Sequence, residues 1–244
     1  MKNLIIIGNS LIKIYSVDSR NTLMSVNRYT HSQIPDSLKE LENKETIYIA
    51  SVVPKLTSHY CNLFTHAYVI KNNDIPILEN KTENPEHSGI DRLLNTLAAY
   101  YLIPNYNKII VDGGTAISIS VATEPGMFLG GAIFSGIETE MKALARNTEL
   151  LPDIAGASFP ERGIGTSTIE ALKSGIFIGT VGAIKEIIRT TELELKAWNE
   201  LPTHTILTGG WGKIISDHLD IHHTYEEHLT FTGMLKTVER LKDC

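Results

Sequence analysis

Cysteine is nearly absent from this 244-residue chain, which holds only Cys61 and Cys244. Two cysteines cannot build a disulfide framework, so the sequence reads as one for a reducing compartment. Runs of lysine and arginine are missing too, and the net charge is −6. A broad nucleic-acid footprint needs a clustered basic face, so no nucleic-acid partner is expected. Long hydrophobic runs are also lacking. Leu4-Ile5-Ile6-Ile7 stops at Gly8, too short for a signal h-region or a membrane span, and no later stretch approaches roughly 20 apolar residues. A soluble, cytoplasmic protein without a membrane partner is expected. Two phosphate motifs are absent. Gly212-Lys213 lacks the upstream glycine and the hydroxyl residue of a Gly-x-x-x-x-Gly-Lys-Ser/Thr loop, and no Gly-x-Gly-x-x-Gly follows the first strand, which argues against a dinucleotide fold.

What is present suffices for a core: 42% of residues are apolar and 20% charged, ordinary globular usage. Asn3 to Ile7, the turn Gly8-Asn9-Ser10 and Leu11 to Tyr15 read as a β-hairpin. Thr46 to Val53 reads as a buried strand closed by Pro54, and Asp91 to Leu102 has helical spacing. The plan then restarts. Lys108 to Val111 is a strand ending in Asp112-Gly113-Gly114-Thr115, followed by strands over Ala116–Val121 and Phe128–Phe134 and a helix over Glu138–Arg146. Thr168 to Leu195 contains no proline and predicts one long helix or two abutting ones; a strand over Thr203–Leu207 and a helix over Lys213–His218 follow. Alternating strands and helices, with a hairpin opening each half, predict an α/β fold built by duplication, with domains over residues 1–106 and 107–244.

Three strand-ending glycine turns carry the functional information: Gly8-Asn9-Ser10, Asp112-Gly113-Gly114-Thr115 and Thr208-Gly209-Gly210. Glycine admits a ligand close to the backbone, and successive N–H groups in such turns make anion-binding concavities. Alone, each is ordinary hairpin chemistry. Together, with Ser10, Thr115 and Thr208 adding hydroxyls, they suit one nucleotide held between two domains.

These turns belong to a longer series: Asn84-Pro85-Glu86 before Gly89-Ile90-Asp91-Arg92, Gly130-Gly131-Ala132-Ile133 with Gly136, Gly165 with Thr168, Ser174-Gly175, and the tail Leu229 to Met234. In order and spacing the series resembles the type III pantothenate kinases, a family that includes Bordetella-type accessory factors for toxin expression. The resemblance implies two ribonuclease-H-like domains of the actin, acetate kinase and sugar kinase type with an interdomain cleft. It implies ATP-dependent phosphorylation of pantothenate to 4'-phosphopantothenate, the first step of coenzyme A synthesis, with Mg²⁺, a monovalent cation (K⁺ or NH₄⁺) and a homodimer. By the same resemblance Ile6, Ile7, Gly8, Asn9, Ser10, Leu11, Ile12, Lys13 and Thr115 would meet ATP. Gly89, Ile90, Asp91, Arg92 and Thr168 would meet pantothenate, Asp91 would be the catalytic base, and Asp112 would serve the monovalent ion.

The residues admit other readings. A carboxylate at the start of a helix can accept a substrate hydroxyl proton, or can simply complement the helix dipole. Arg92 suits a substrate carboxylate or a surface ion pair. Asp112 suits a cation or a capped turn, and Thr168 a ligand or an N-cap. His222, His223 and His228 match no standard zinc spacing, and Trp198 and Trp211 are expected in packing.

The chain departs from the family twice. Its first turn is normally Asp-x-Gly-Asn-Thr/Ser, and Ile6 stands at the aspartate position, with no acidic residue between Met1 and Ile14. Isoleucine offers no oxygen to a divalent cation or its water. Thr82 stands where the family usually has tyrosine. The first departure leaves open a weak or inactive relative acting as a ligand sensor or regulatory partner. The second leaves open a kinase for another small hydroxylated acid.

Overall fold

The computed structural model describes residues 2–32, 46–64, 66–76, 79–124 and 126–243. Its elements run β1 (Lys2–Ile7), β2 (Leu11–Val17), β3 (Leu23–Thr30), β4 (Ile47–Ser51), α1 (Pro54–Leu63), β5 (Ala67–Val69), β6 (Glu79–Asn80) and α2 (Ile90–Leu102). There follow β7 (Asn107–Gly113), β8 (Ala116–Thr123), β9 (Met127–Ser135), α3 (Ile137–Asn147), α4 (Thr168–Lys173), α5 (Gly179–Leu195), β10 (Thr203–Thr208), α6 (Gly212–His218), β11 (His223–Tyr225) and α7 (Leu229–Asp243). Contacts divide the chain into one unit of residues 1–102 with 229–244 and another of residues 103–228.

In the first unit the strand order is β3-β2-β1-β4-β5. The β1/β2 and β2/β3 pairs are antiparallel, and β1/β4 and β4/β5 are parallel. Alternation along the strands gives the sheet two apolar faces. Ile5, Ile7, Ile12, Ile14, Ile47 and Ile49 meet Tyr60 of α1 and Phe64 beyond it. Pro54 opens α1, where its fixed φ suits the first turn and its missing N–H costs nothing. That helix is absent from the sequence reading, which took Pro54 only as the end of a strand. The final helix α7 packs with α2 and β1. Phe231 stacks on Tyr15 at a ring separation of 4.6 Å, and Thr230 Oγ1 donates to Asn95 Oδ1 at 2.7 Å. The C-terminal helix therefore joins the first unit, where the sequence reading had placed it in the second; the contacts that hold it lie more than a hundred residues away along the chain.

The second unit repeats the arrangement, with order β9-β8-β7-β10-β11, β7/β8 and β8/β9 antiparallel, and β7/β10 and β10/β11 parallel. Matching order and matching strand directions bear out the duplication read from the sequence, and each unit has the ribonuclease-H-like plan. Ile109, Val111, Ile117 and Ile119 pack beneath Ile137 and Met141 of α3, Ile184 and Ile188 of α5 and Ile215 of α6. The stretch 168–195 is continuous: α4 passes through a π-helical turn at Ser174–Ile178 into α5. Lys108 is fully buried and ion-paired to Glu124, as a charge in a core requires. Trp211 packs edge-on against Phe177, while Trp198 is 55% exposed, contrary to expectation. Cys61 is a free thiol, and Cys244 lies outside the described residues. Among the described residues no helix is long and apolar enough to cross a membrane.

Candidate active site

In the first unit the chemistry gathers at the start of α2. Asp91 lies in its first turn, half-buried, with Oδ1 accepting the Arg92 backbone N–H at 2.8 Å. Burial raises the Asp91 carboxyl above the usual carboxylate range, against the opposing backbone hydrogen bond and charge of Arg92. Burial likewise lowers the Arg92 guanidinium, and Asp91 partly restores it. A helix N-terminus tolerates such a carboxylate because its free N–H groups and dipole favour negative charge. Gly89 makes the approach possible: a Cβ there would lie 2.6 Å from Asp91 Oδ1. Ile90 is buried and anchors the turn. Gly89, Ile90, Asp91 and Arg92 together form this turn.

The approach to this turn is a short 3-10 helix, Pro85–His87. Beside it lies a cavity of about 390 Å³ lined by Asn72, Asn73, Ile75, Asn80, Pro85 and Leu93, within the range of small-molecule sites. Asn72 and Asn80 were not legible as site residues. Thr82, in the family's tyrosine position, donates its hydroxyl to Asn80 Oδ1 at 2.7 Å and lies 3.2 Å from Ser88 Oγ. It is a hydrogen-bonding residue of the loop, with no ring to offer.

The first glycine turn closes the β1/β2 hairpin, Gly8 N–H donating to the Leu11 carbonyl at 2.9 Å. Asn9, Ser10 and Leu11 are exposed, while Ile7 and Ile12 are buried. His31 Nε2 donates to the Gly8 carbonyl at 2.9 Å, a contact with no sequence signal. Ile6 is half-buried, with Lys13 and Ala50 as its register partners on either side. No carboxylate replaces the missing one from these neighbours.

In the second unit β7 and β10 run parallel with Asp112 opposite Thr208, which brings two glycine turns together. Gly209 adopts φ +90°, and a Cβ there would lie 2.3 Å from Asp112 Oδ1. The Trp211 N–H donates to the Gly113 carbonyl at 2.8 Å. Thr115 is exposed, and its carbonyl accepts from Gly136 N–H at 3.0 Å and Thr139 Oγ1 at 2.6 Å. The turn is a fixed backbone concavity with one carboxylate at its root.

One expected role changes. Ser167, not Thr168, caps α4, its hydroxyl accepting the Glu170 N–H at 3.3 Å; Thr168 is the first helical residue and is exposed. The histidines of the C-terminal segment form ordinary contacts: His223 lies 2.8 Å from Ser216 Oγ and 2.7 Å from the Ile221 carbonyl. Among the described residues no group of three or more His, Cys, Asp or Glu side chains could hold a metal ion.

With this geometry in hand, comparison with known proteins is informative. A family model described as type III pantothenate kinase matches residues 4–190. A type III pantothenate kinase from Parafrankia sp. (strain EAN1pec) is 38% identical over 166 residues, which is 68% of this chain and 62% of that relative's length. Among solved structures, a Campylobacter jejuni protein described as a conserved Baf family transcriptional activator superposes with TM-score 0.67 at 24% identity, covering 99% of this chain and 100% of the other. A Sinorhizobium meliloti protein described as a 2-dehydro-3-deoxygalactonokinase gives TM-score 0.58 at 9% identity, with 99% of each chain covered. At such identities the superpositions speak to the fold alone.

Proposed function

The chain belongs to the type III pantothenate kinase family, and on that premise we propose that it phosphorylates pantothenate with ATP to give 4'-phosphopantothenate. The observation that carries this reading is Asp91, a half-buried carboxylate with a raised pKa at the start of α2. Asp91 accepts the proton of the substrate's primary hydroxyl. That oxygen bonds to the γ-phosphorus of ATP, the bond from the γ-phosphorus to the β,γ-bridging oxygen breaks, and ADP leaves. Arg92 supports it as a cation for the pantothenate carboxylate, and Thr168 as a hydroxyl contact. The turn segment Ile6 to Lys13 and Thr115 offer backbone and hydroxyl donors to the nucleotide phosphates.

The ions implied by the family fit unequally. The first turn does not suit a divalent cation, because Ile6 supplies only hydrocarbon and its register neighbours are Lys13 and Ala50. Mg²⁺ in this reading arrives with the nucleotide, and no protein step depends on a carboxylate at that turn. Asp112 would suit a monovalent cation, K⁺ or NH₄⁺, as a carboxylate at a strand end lying against the Gly209 backbone. Such an ion supplies positive charge beside the phosphates. A homodimer and a cytoplasmic location complete the proposal.

Purified protein given pantothenate, ATP, Mg²⁺ and K⁺ should form ADP and 4'-phosphopantothenate in equal amounts. Asp91→Asn should lower kcat by about 10²–10⁴-fold, the usual worth of a general base. Turnover no greater than that of Asp91→Asn would refute the reading. Ile6 is the observation favouring a second reading, a non-catalytic relative that senses a ligand or regulates a partner.

A further inference from the structure

We propose that Asn72 and Asn80 are positioning residues that clamp the 85–88 turn and thereby set the place of Asp91. This inference rests on the reading of Asp91 as the base. The turn is a 3-10 helix of three residues in which the Pro85 carbonyl accepts the Ser88 N–H at 3.2 Å. Asn72 adds donors from its side chain. Its Nδ2 lies 3.1 Å from the Pro85 carbonyl, 3.3 Å from that of Glu86 and 3.0 Å from that of Ser88, so two N–H groups are shared among three acceptors. The Ser88 carbonyl belongs to the peptide that leads into Gly89, and the Gly89 carbonyl receives the Leu93 N–H at 3.2 Å to begin α2.

Asn80 grips the same turn from its own side. Its Nδ2 donates to the Pro85 carbonyl at 3.1 Å and to Ser88 Oγ at 2.9 Å. Its Oδ1 accepts from the Thr82 N–H at 3.0 Å and the Thr82 hydroxyl at 2.7 Å. Every polar group of the Asn80 amide is therefore occupied by backbone or by the Thr82 and Ser88 hydroxyls.

Asn72 is itself held to the sheet. It opens the turn Asn72–Asp74, in which Asp74 accepts from the Lys71 N–H at 2.7 Å and the Tyr68 hydroxyl at 3.1 Å. Just before it, the Ile70 N–H donates to the Ile49 carbonyl of β4 at 2.8 Å. A path of covalent chain and hydrogen bonds runs from the sheet through Ile70 and Asn72 to the Ser88 peptide and so to the turn that carries Asp91. A base displaced by about 1 Å loses on the order of 10²-fold in rate, so such a clamp has a kinetic task beyond folding.

The test uses the full chain with Asn72→Leu, which keeps the branching at Cγ and deletes the donors. Three quantities are read: kcat and KM for pantothenate, thermal stability, and amide hydrogen exchange over residues 85–93. The expected result is a folded protein whose kcat falls about 10–100-fold while KM for pantothenate moves less than about threefold, with faster exchange confined to 85–93. A folded variant with kcat within about twofold of the parent, or with unchanged exchange at 85–93, overturns the proposal. If Asn72→Leu does not fold, Asn80→Asp decides by the same criteria, since it keeps the acceptor for Thr82 and loses both donors to the turn. If the parent itself makes no phosphopantothenate, the functional reading falls. The exchange result then stands alone: faster exchange upholds the clamp as the device that sets this turn, and unchanged exchange removes it.

Discussion

The two units are built on one plan, yet their first hairpins end differently. In the first unit the turn after β1 follows Ile6-Ile7, and Ile7 stands opposite Ser51 of the parallel strand. In the second, the turn after β7 follows Asp112-Gly113, and Asp112 stands opposite Thr208. The first turn needs little from its neighbours: a Cβ on Gly8 would meet nothing closer than the Leu11 carbonyl at 3.3 Å. The second is locked against a neighbouring turn, where Gly209 at φ +90° admits the Asp112 carboxylate. Duplication has kept the backbone and let the chemistry diverge, so that charge at a strand end survives in only one copy.

The strongest way to break this comparison is to give both glycines a methyl group. Gly209→Ala places a carbon 2.3 Å from Asp112 Oδ1 and 2.7 Å from Gly113 N, and forces a side chain into a left-handed conformation. That conformation alone costs about 1–2 kcal/mol, so a loss above about 2 kcal/mol is expected, a fall in melting temperature of roughly 4–8 °C. Gly8→Ala, with its nearest contact at 3.3 Å, should cost less than about 1 kcal/mol. Equal losses in paired thermal melts would show that the two turns are equally constrained.

A second experiment makes the first turn resemble the second. Ile6→Asp restores a carboxylate beside Lys13, its register partner. If the chain works as a kinase with Mg²⁺ carried by the nucleotide, turnover should change by less than about tenfold, or roughly 1.4 kcal/mol. A jump from no turnover to measurable turnover would transfer weight to the sensor or regulatory reading. Titration of Mg²⁺ at fixed ATP separates the two.

The parts of this molecule that were legible in the sequence are those governed by local pattern. The isoleucine-rich strands, the hairpins and the helix after Gly89 follow from alternation and glycine placement, and so does the repeat itself. What failed was non-local or ambiguous. Pro54 is equally consistent with ending a strand and opening a helix, and only the packing of Tyr60 on the sheet decides for the helix. The place of α7 depends on Phe231 meeting Tyr15, a contact without a sequence period. At the site, Asp91 was found because it sits in a recognisable run. Asn72 and Asn80 were missed because their hydrogen bonds reach into a turn up to sixteen residues away, and asparagine is common in any loop.

The smallest expected effect also comes from divergence between the copies. Of the two corresponding strands, β10 carries His204, whereas β4 carries no histidine. Burial lowers the pKa of His204, and the nearby His222 and His223 lower it further. A histidine kept neutral in the fold contributes stability above its unfolded pKa of about 6.5, and that contribution is lost as pH falls through this value toward the lower folded one. The strand β4 has no counterpart. Replacing His204 with glutamine should therefore flatten the acid-side fall in melting temperature between pH 7.5 and 5.5. An unchanged fall would mean that the acid sensitivity of the second unit resides elsewhere, and that its β10 differs from β4 in composition without differing in pH response.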